Sequence, residues 1–355
     1  HYTDTLPSLN LNYHVLHNLD MRIGASKAMA RPLLGNLSPS VSAITIPNTT
    51  GATTGGSLTV GNTQLKPFRS TNYDWDVEWY FDKNALLSFA LFDKEVRSFP
   101  QTILFDSRLS DFLDQDSIDA LKANLSTTNP TQLAAQIAYI DGGMPFTARQ
   151  VRDAPGGSLW GWEFNYQQEM TFLPGFWKDF GVQLNATHIG SKLKYIIDPG
   201  VKSNGVYTVQ PTFSYGPWLN ASPDAVNFTL YYEVPQFSTR VSIAHRAGYY
   251  TTFPIAAGTC NVGLQAATNT TTANAAYATS ATCDGPLLND FVGSRATTNV
   301  DANFVWNFNQ HLALRIEGLN LTNQTSQRYA YVANPVVTSY ASSGRQITVG
   351  LRYKY

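Results

Sequence analysis

The chain has 355 residues and a formal net charge of -1, with only 14% charged but 13% aromatic residues, where soluble domains average about 25% charged. Near neutrality argues against nucleic acid as a partner, because binding phosphate needs clustered Lys and Arg. A mean hydropathy of -0.19 and no apolar run of about 18 residues exclude a transmembrane helix, which leaves a large secreted β protein or a transmembrane β-barrel.

Taken in chain order, the strongest signal has period two. Leu9, Leu11, Tyr13 and Val15 alternate with Asn10, Asn12 and His14. Tyr73, Trp75, Val77, Trp79 and Phe81 alternate with Asp74, Asp76 and Glu78. Trp160, Trp162, Phe164 and Tyr166 frame Glu163, and Val226, Phe228, Leu230 and Tyr232 frame Asn227 and Thr229. Val300, Ala302, Phe304, Trp306 and Phe308 flank Asp301, and Ile347 to Tyr355 alternates with Arg352 and Lys354. Each segment reads as a half-buried antiparallel strand. The count comes to about 11, odd where a closed single-chain bacterial barrel is even. An N-terminal part of the barrel is therefore expected upstream of this partial set.

The connections alternate as strictly as the faces. Short links fall at 17–19, 82–84, 174–176, 234–236 and 309–310, and long polar stretches at 31–70, 98–156, 191–222, 251–294 and 321–343. Outer-membrane barrels have this order, with short periplasmic turns and long extracellular loops. Aromatic residues crowd the short-turn end: Trp79, Phe81, Phe172, Trp177, Tyr232, Trp306, Phe308, Tyr353 and Tyr355. Rings with an apolar body and a polar tip suit a membrane interface.

Within 98–156, Asp106, Asp111, Asp114, Asp116 and Asp119 bring oxygen ligands near one another, as a calcium site needs. The order of an EF-hand is missing, so no metal is expected. An amphipathic helix with Leu109, Phe112, Leu113 and Leu121 on one face explains the spacing better. Asn129-Pro130 reads as the N-cap and first turn of a second helix carrying Leu133 and Ile137. No catalytic motif appears. Glu163 and Glu169 share a strand face about 20 Å apart, too far for an inverting glycosidase pair at about 6.5–9.5 Å. Neither an enzymatic activity nor a cofactor is expected.

Leu65-Lys-Pro, Ser70-Thr-Asn-Tyr-Asp74 and Glu78-Trp-Tyr-Phe81, followed by Glu163-Phe-Asn-Tyr-Gln-Gln168 and Phe172-Leu-Pro-Gly175, resemble the text of TonB-dependent receptors. Tyr231-Tyr-Glu233, Leu319-Asn-Leu-Thr-Asn323 and Gly344-Arg-Gln-Ile continue that resemblance in the expected order. It covers nearly the whole chain and matches the C-terminal part of the barrel. The resemblance implies residues 1–355 of an all-β, antiparallel transmembrane barrel of roughly 22 strands, with the plug domain, TonB box and first strands upstream.

The implied function is energy-coupled import of a bulky, scarce nutrient, an oligosaccharide or a ferric siderophore, across the outer membrane. The implied partners are the TonB-ExbB-ExbD complex, outer-membrane lipid and, through the C-terminal strand, the barrel assembly machinery. A passive porin-like channel and a secreted β-rich carbohydrate-binding protein are the rivals. Asp74, Asp76, Glu78, Glu163, Arg240, Arg246, Asp301, Arg315, Glu317 and Arg352 are expected to face the lumen and a plug. In the long loops, Tyr195, Tyr207, Tyr215 and Trp218 are expected as exposed ligand-contacting rings. Cys260 and Cys283 are expected to pair outside the cell, closing about 23 residues at a stabilisation of ~3 kcal/mol.

Overall fold

The computed structural model describes residues 3–48, 55–126, 129–203, 206–252, 291–330 and 335–354. Eleven strands form one antiparallel wall in which every strand pairs with its predecessor. They are β1 (Ser8–Leu16), β2 (Leu19–Ala30), β3 (Phe68–Asp82), β4 (Ala85–Ser107), β5 (Phe146–Glu169) and β6 (Phe180–Asp198). After them come β7 (Asp224–Glu233), β8 (Phe237–Arg246), β9 (Thr297–Asn307), β10 (Leu312–Leu319) and β11 (Gln346–Tyr353). Among the described residues the sheet is open, with β1 and β11 at its two edges.

The ladder registers preserve the period-two faces across the wall. Ile23 of β2 stands opposite Trp75, Trp75 opposite Leu91, and Leu91 opposite Trp162. Farther along, Phe237 stands opposite Trp306, Trp306 opposite Leu314, and Leu314 opposite Leu351. An apolar side chain thus meets another on the same face, and a one-residue slip would carry the whole set to the opposite face. The apolar face is largely open: Leu11 is 55% exposed, Ile23 44% and Leu351 72%. Aqueous solvent would penalise so much uncovered apolar surface.

The wall extends well past the strand ends that alternation marks. β4 has 23 residues, β5 has 24 and β6 has 19, whereas a tilted membrane strand needs about 9–11. The stretch 98–156 is therefore only partly loop, because β4 and β5 pair without a break from Leu86–Gln167 to Ser107–Phe146. Likewise β6 runs to Asp198 and then pairs with the Thr212–Gly216 strand. Outside the membrane both faces meet water or loops, so the apolar alternation fades while the backbone ladder continues.

Two helices cap this extension, α1 (Gln115–Ala123) and α2 (Pro130–Asp141). Asp114 accepts the Ser117 N–H at 2.8 Å to cap α1, and Asn129 accepts the Thr131 N–H at 3.0 Å with Pro130 as the first residue of α2. The expected first helix is split: Leu109–Asp111 forms a separate 3-10 turn that ends before the Asp114 cap. Leu109, Phe112, Leu113 and Leu121 still converge, packing with Ile118, Ile140 and Phe146 on the strand Gly56–Val60. That strand lies parallel to Phe146–Gln150. It occupies a β5 edge that β6 leaves free, because β5–β6 pairing stops at Gly157–Leu193.

Candidate functional site

A large concavity lies at the long-loop end, with a volume of about 1020 Å³. Arg31 to Leu33 follow β2, Leu65 and Lys66 lead into β3, and Phe99 to Thr102 with Leu104 belong to the outer part of β4. Arg149 and Asp153 of β5 and Leu193 and Tyr195 of β6 complete the floor, with Trp218 to Asn220 closing one side. Beyond Leu193, β6 leaves β5 and packs across the β4–β5 hairpin. Gln101 fastens it there: its amide N–H donates to the Ile196 carbonyl at 2.9 Å, and the Ile196 N–H donates to Gln101 Oε1 at 2.8 Å. Both residues are buried, so the side-chain amide satisfies the Ile196 backbone where the β5 ladder has ended, while the Thr212–Gly216 strand pairs with β6 in the same stretch.

Aromatic rings give the cavity its apolar wall. Trp218 stands edge-on to Phe68 at 6.3 Å between centroids, and Phe99 meets Tyr195 at 5.1 Å. Arg31, Lys66 and Arg149 supply three cations against the single carboxylate of Asp153. That carboxylate accepts the backbone N–H of Lys66 at 3.0 Å, which ties the strap between β2 and β3 to β5. Asn62 and Gln150 add two more side-chain bonds across the same seam, to Val151 and Gly61 carbonyls at 3.0 and 2.9 Å.

The four ring residues expected from the sequence do not form one surface. Tyr195 is only 2% exposed, which corrects the expectation of an exposed loop ring. Its hydroxyl donates to the Pro217 carbonyl at 2.7 Å, and burial pushes the phenol up to about 12. Trp218 lines the cavity beside it. Tyr215 instead packs under Lys192 on the outer side of β6, with 4.7 Å from the ammonium to the ring. Tyr207 falls in the short strand Val206–Val209. Sequence reasoning missed Arg31, Lys66, Phe68, Phe99 and Arg149. Adjacent Pro32 and Pro67 mark where strand text stops, but nothing in the sequence brings the two ends together.

On the wall, register places Asp74, Asp76, Glu78, Glu163, Arg240, Arg246, Asp301, Arg315, Glu317 and Arg352 on one polar face. The face is divided by charge. Asp20, Asp74, Asp76, Glu78, Glu163 and Glu169 lie on β2 to β5, where Arg22 binds Glu78 in a two-pronged pair at 2.8 and 3.0 Å. Arg240, Arg246, Arg315 and Arg352 lie on β8 to β11. There Arg315 pairs with Glu317, and Asp301 accepts the Asn320 N–H at 2.7 Å. Between the two halves, Asn165 links Ser88 to Asn185.

Rings on the opposite face run as a belt at the short-turn end. Trp177 meets Phe180 at 5.6 Å, Phe180 meets Tyr232 at 4.8 Å, Tyr232 meets Phe237 at 5.2 Å and Phe237 stacks on Trp306 at 5.7 Å. Trp79 and Phe81 touch at 5.1 Å on β3. Phe172, Phe308 and Tyr353 stand exposed at the same end. Phe180 and Phe237 complete the chain of contacts. Tyr355 and the expected Cys260–Cys283 pair lie outside the described residues.

Three carboxylates of the acidic stretch before α2 have structural partners. Asp111 accepts the Arg108 N–H at 2.7 Å, Asp114 caps α1, and Asp119 pairs with Lys122 at 2.9 Å. Among the described residues no helix is long and apolar enough to cross a membrane, a criterion that does not bear on strands.

Comparison with known proteins agrees with this architecture. The family model described as TonB dependent receptor-like, beta-barrel, matches residues 1–321. The chain is similar to the crystal structure of the siderophore receptor PirA from Acinetobacter baumannii, with TM-score 0.56 and 12% identity over 99% of this chain and 41% of that one. It is also similar to a mutant of the ferric enterobactin receptor PfeA from Pseudomonas aeruginosa, with TM-score 0.53 and 13% identity over 99% of this chain and 40% of that one. It therefore spans well under half the length of either receptor. No curated protein matches the chain. With a family model matching residues 1–321 of its 355 and an antiparallel wall of eleven strands, the chain belongs to the TonB-dependent receptor β-barrel family of the bacterial outer membrane.

Proposed function

We propose that this chain is the C-terminal portion of a receptor that imports a ferric siderophore by TonB-coupled transport. The supporting observation is the charge and chemistry of the outer cavity. Three cations stand against one carboxylate, beside the rings of Phe68, Phe99 and Trp218. An anionic chelate with flat aromatic groups satisfies both, through charge-assisted contacts and ring or cation–π contacts. A neutral oligosaccharide uses the rings but leaves the excess positive charge unanswered. The similar PirA and PfeA structures are siderophore receptors, in line with this choice.

In this reading the polar face is the lumen and receives a plug from outside this chain. A plug surface basic toward β2 to β5 and acidic toward β8 to β11 fits the divided charge. The open edges of β1 and β11 pair with further strands of the same barrel, since unpaired backbone groups are costly in lipid. Energy coupling to TonB-ExbB-ExbD acts through that plug, and the β11 end engages the assembly machinery.

The test is uptake in a receptor-deletion strain carrying the full-length gene. Radiolabelled ferric catecholate should accumulate only with TonB present, and Arg31→Ala with Arg149→Ala should raise the half-saturating concentration by at least about tenfold, or about 1.4 kcal/mol. Uptake of a labelled oligosaccharide with no ferric catecholate uptake would reject the siderophore assignment. Transport that persists without TonB would favour a passive channel.

A further inference from the structure

Register sorts the polar face of β8 to β11 into a descending row of cations. Arg246 and Arg240 lie on β8, Arg315 on β10 and Arg352 on β11, with Lys354 just past its end, and all five are exposed. Arg240 stands opposite Asn303 of β9, and Asn303 opposite Glu317 of β10. Two residues nearer the short turns, Ser238 stands opposite Val305, and Val305 opposite Arg315. Two residues farther down, Ala313 of β10 stands opposite Arg352. With about 3.4 Å per residue and about 4.8 Å between strands, the step from Arg246 to Arg240 is about 20 Å. The next steps, to Arg315, Arg352 and Lys354, are about 12, about 8 and about 7 Å.

The row begins at the outer cavity. Arg246 donates to the Asn220 carbonyl at 3.2 Å, and Asn220 lines that cavity together with Thr251 and Thr252 beyond β8. It ends at the short-turn side, where the Lys354 N–H donates to the His311 carbonyl at 2.8 Å. Rings accompany the upper cations: Arg246 lies 4.1 Å over Tyr249, and Arg240 5.5 Å over Tyr231. The Tyr231 ring leans across the neighbouring strand at Gly181, where an added Cβ would stand 2.1 Å from it.

Carboxylates do not cancel the row. Asp301 and Glu317 share this face of β8 to β11; Glu317 pairs with Arg315, and Asp301 accepts the Asn320 N–H at 2.7 Å. Among the described residues Arg240, Arg246, Arg352 and Lys354 have no carboxylate partner. On the same face of β2 to β5, Asp20, Asp74, Asp76, Glu78, Glu163 and Glu169 outnumber Arg22 and Lys94. An anion in the lumen is therefore repelled by one half of the wall and attracted by the other, in a space whose low-dielectric walls focus the field.

We propose that the β8–β11 side of the lumen is the track along which an anionic iron chelate descends from the outer cavity, passed from Arg246 to Arg240, Arg315, Arg352 and Lys354. This rests on the siderophore reading above and adds the side of the barrel on which the ligand travels. Guanidinium groups suit the task, since each presents several N–H donors to charged oxygens and stays protonated at any working pH. Rings of Arg and Lys select anions in channels by the same attraction. At rest the acidic plug surface inferred above covers the row, and displacement of the plug by energy coupling frees these cations for the passing anion.

Whole-cell binding and TonB-dependent uptake of radiolabelled ferric catecholate, with the full-length receptor in the deletion strain, test this. Arg315→Gln with Arg352→Gln should leave binding at the cell surface unchanged and lower the maximal uptake rate about tenfold, the low end of what charge focusing confers. Arg315→Lys with Arg352→Lys should restore the native rate, and Arg315→Glu with Arg352→Glu should lose more than the glutamine pair. Native uptake by the glutamine pair would overturn the proposal, as would an equal loss in the lysine pair. Entry of a glycopeptide antibiotic too large for porins into cells carrying the glutamine pair would also overturn it, because the arginines would then be holding the plug in place. Absence of binding by the native receptor would instead reject the siderophore reading, and the track with it. Unchanged surface binding verifies folding, and Arg352→Gln alone keeps the test decisive if the pair does not assemble.

Discussion

Replacing Gln101 by Leu tests whether a side-chain amide holds the outer part of β6 in place. Leu keeps the apolar volume and deletes both hydrogen bonds to Ile196, at 2.9 and 2.8 Å. Ile196 is 6% exposed and Gln101 7%, so water does not readily replace the lost partner. An unsatisfied buried N–H or C=O costs about 1–3 kcal/mol, and two such groups put the penalty near 2–6 kcal/mol. Local opening of the segment around Ile196 should become about 30-fold more frequent at the lower bound and up to about 20,000-fold at the upper, by the conversion of 1.4 kcal/mol per factor of ten. Hydrogen–deuterium exchange on the full-length receptor reads this directly in a peptide spanning residues 190–199. Faster exchange should be confined to that peptide and its neighbours around Phe99 and Trp218, with the lower part of β6 unchanged. Native-like protection in Gln101→Leu would refute the reasoning, because the clamp would then be dispensable.

Other consequences follow from single contacts. Gly157→Val would place a Cβ 2.2 Å from the Lys192 carbonyl and 2.7 Å from Leu193 Cα; backbone must part there, and reduced barrel assembly in heat-modifiability gels is the expected result. Tyr195→Phe removes the bond to Pro217 and should cost about 1 kcal/mol, visible as a lowered thermal midpoint. The Tyr195 phenol, raised to about 12 by burial, stays protonated in the fold while an unfolded tyrosine ionises near 10. Its contribution to stability is present below about 10 and is lost as pH rises toward about 12, so absorbance titration should show a late phenol that Tyr195→Phe abolishes. In α1 the sign is opposite. Hydrogen bonds from Ser117 hold the Asp114 carboxyl below its usual range. The cap therefore persists at neutral pH and fails only as pH falls through that lowered value, with loss of helical signal, and Asp114→Asn should shift the acid limb.

Much of the wall was legible because lipid and a polar interior impose opposite chemistry on alternate residues. Tyr73 to Phe81 and Ile347 to Tyr353 display that contrast without help from contacts distant in sequence. Asn129-Pro130 was equally legible, since a cap and a proline act within one turn. Tyr195 was not. Its neighbours Lys194 and Lys192 are polar, and only the departure of β6 from β5 buries its ring against Phe99. The cavity cations were hidden for a related reason: Arg31, Lys66 and Arg149 are far apart in sequence, and the strap bonded to Asp153 brings their segments together.

Composition and period two by themselves determined an antiparallel membrane wall, its two faces, the alternation of short and long connections and the belt at the short-turn end. These properties depend on each residue's own surroundings, water, lipid or interface, and strand geometry repeats them every two residues. Tertiary structure alone decided how far the strands rise above the membrane, which strand fills the free edge of β5, and which rings and cations share a cavity. Those outcomes depend on pairings between segments tens of residues apart, for which no local periodicity exists.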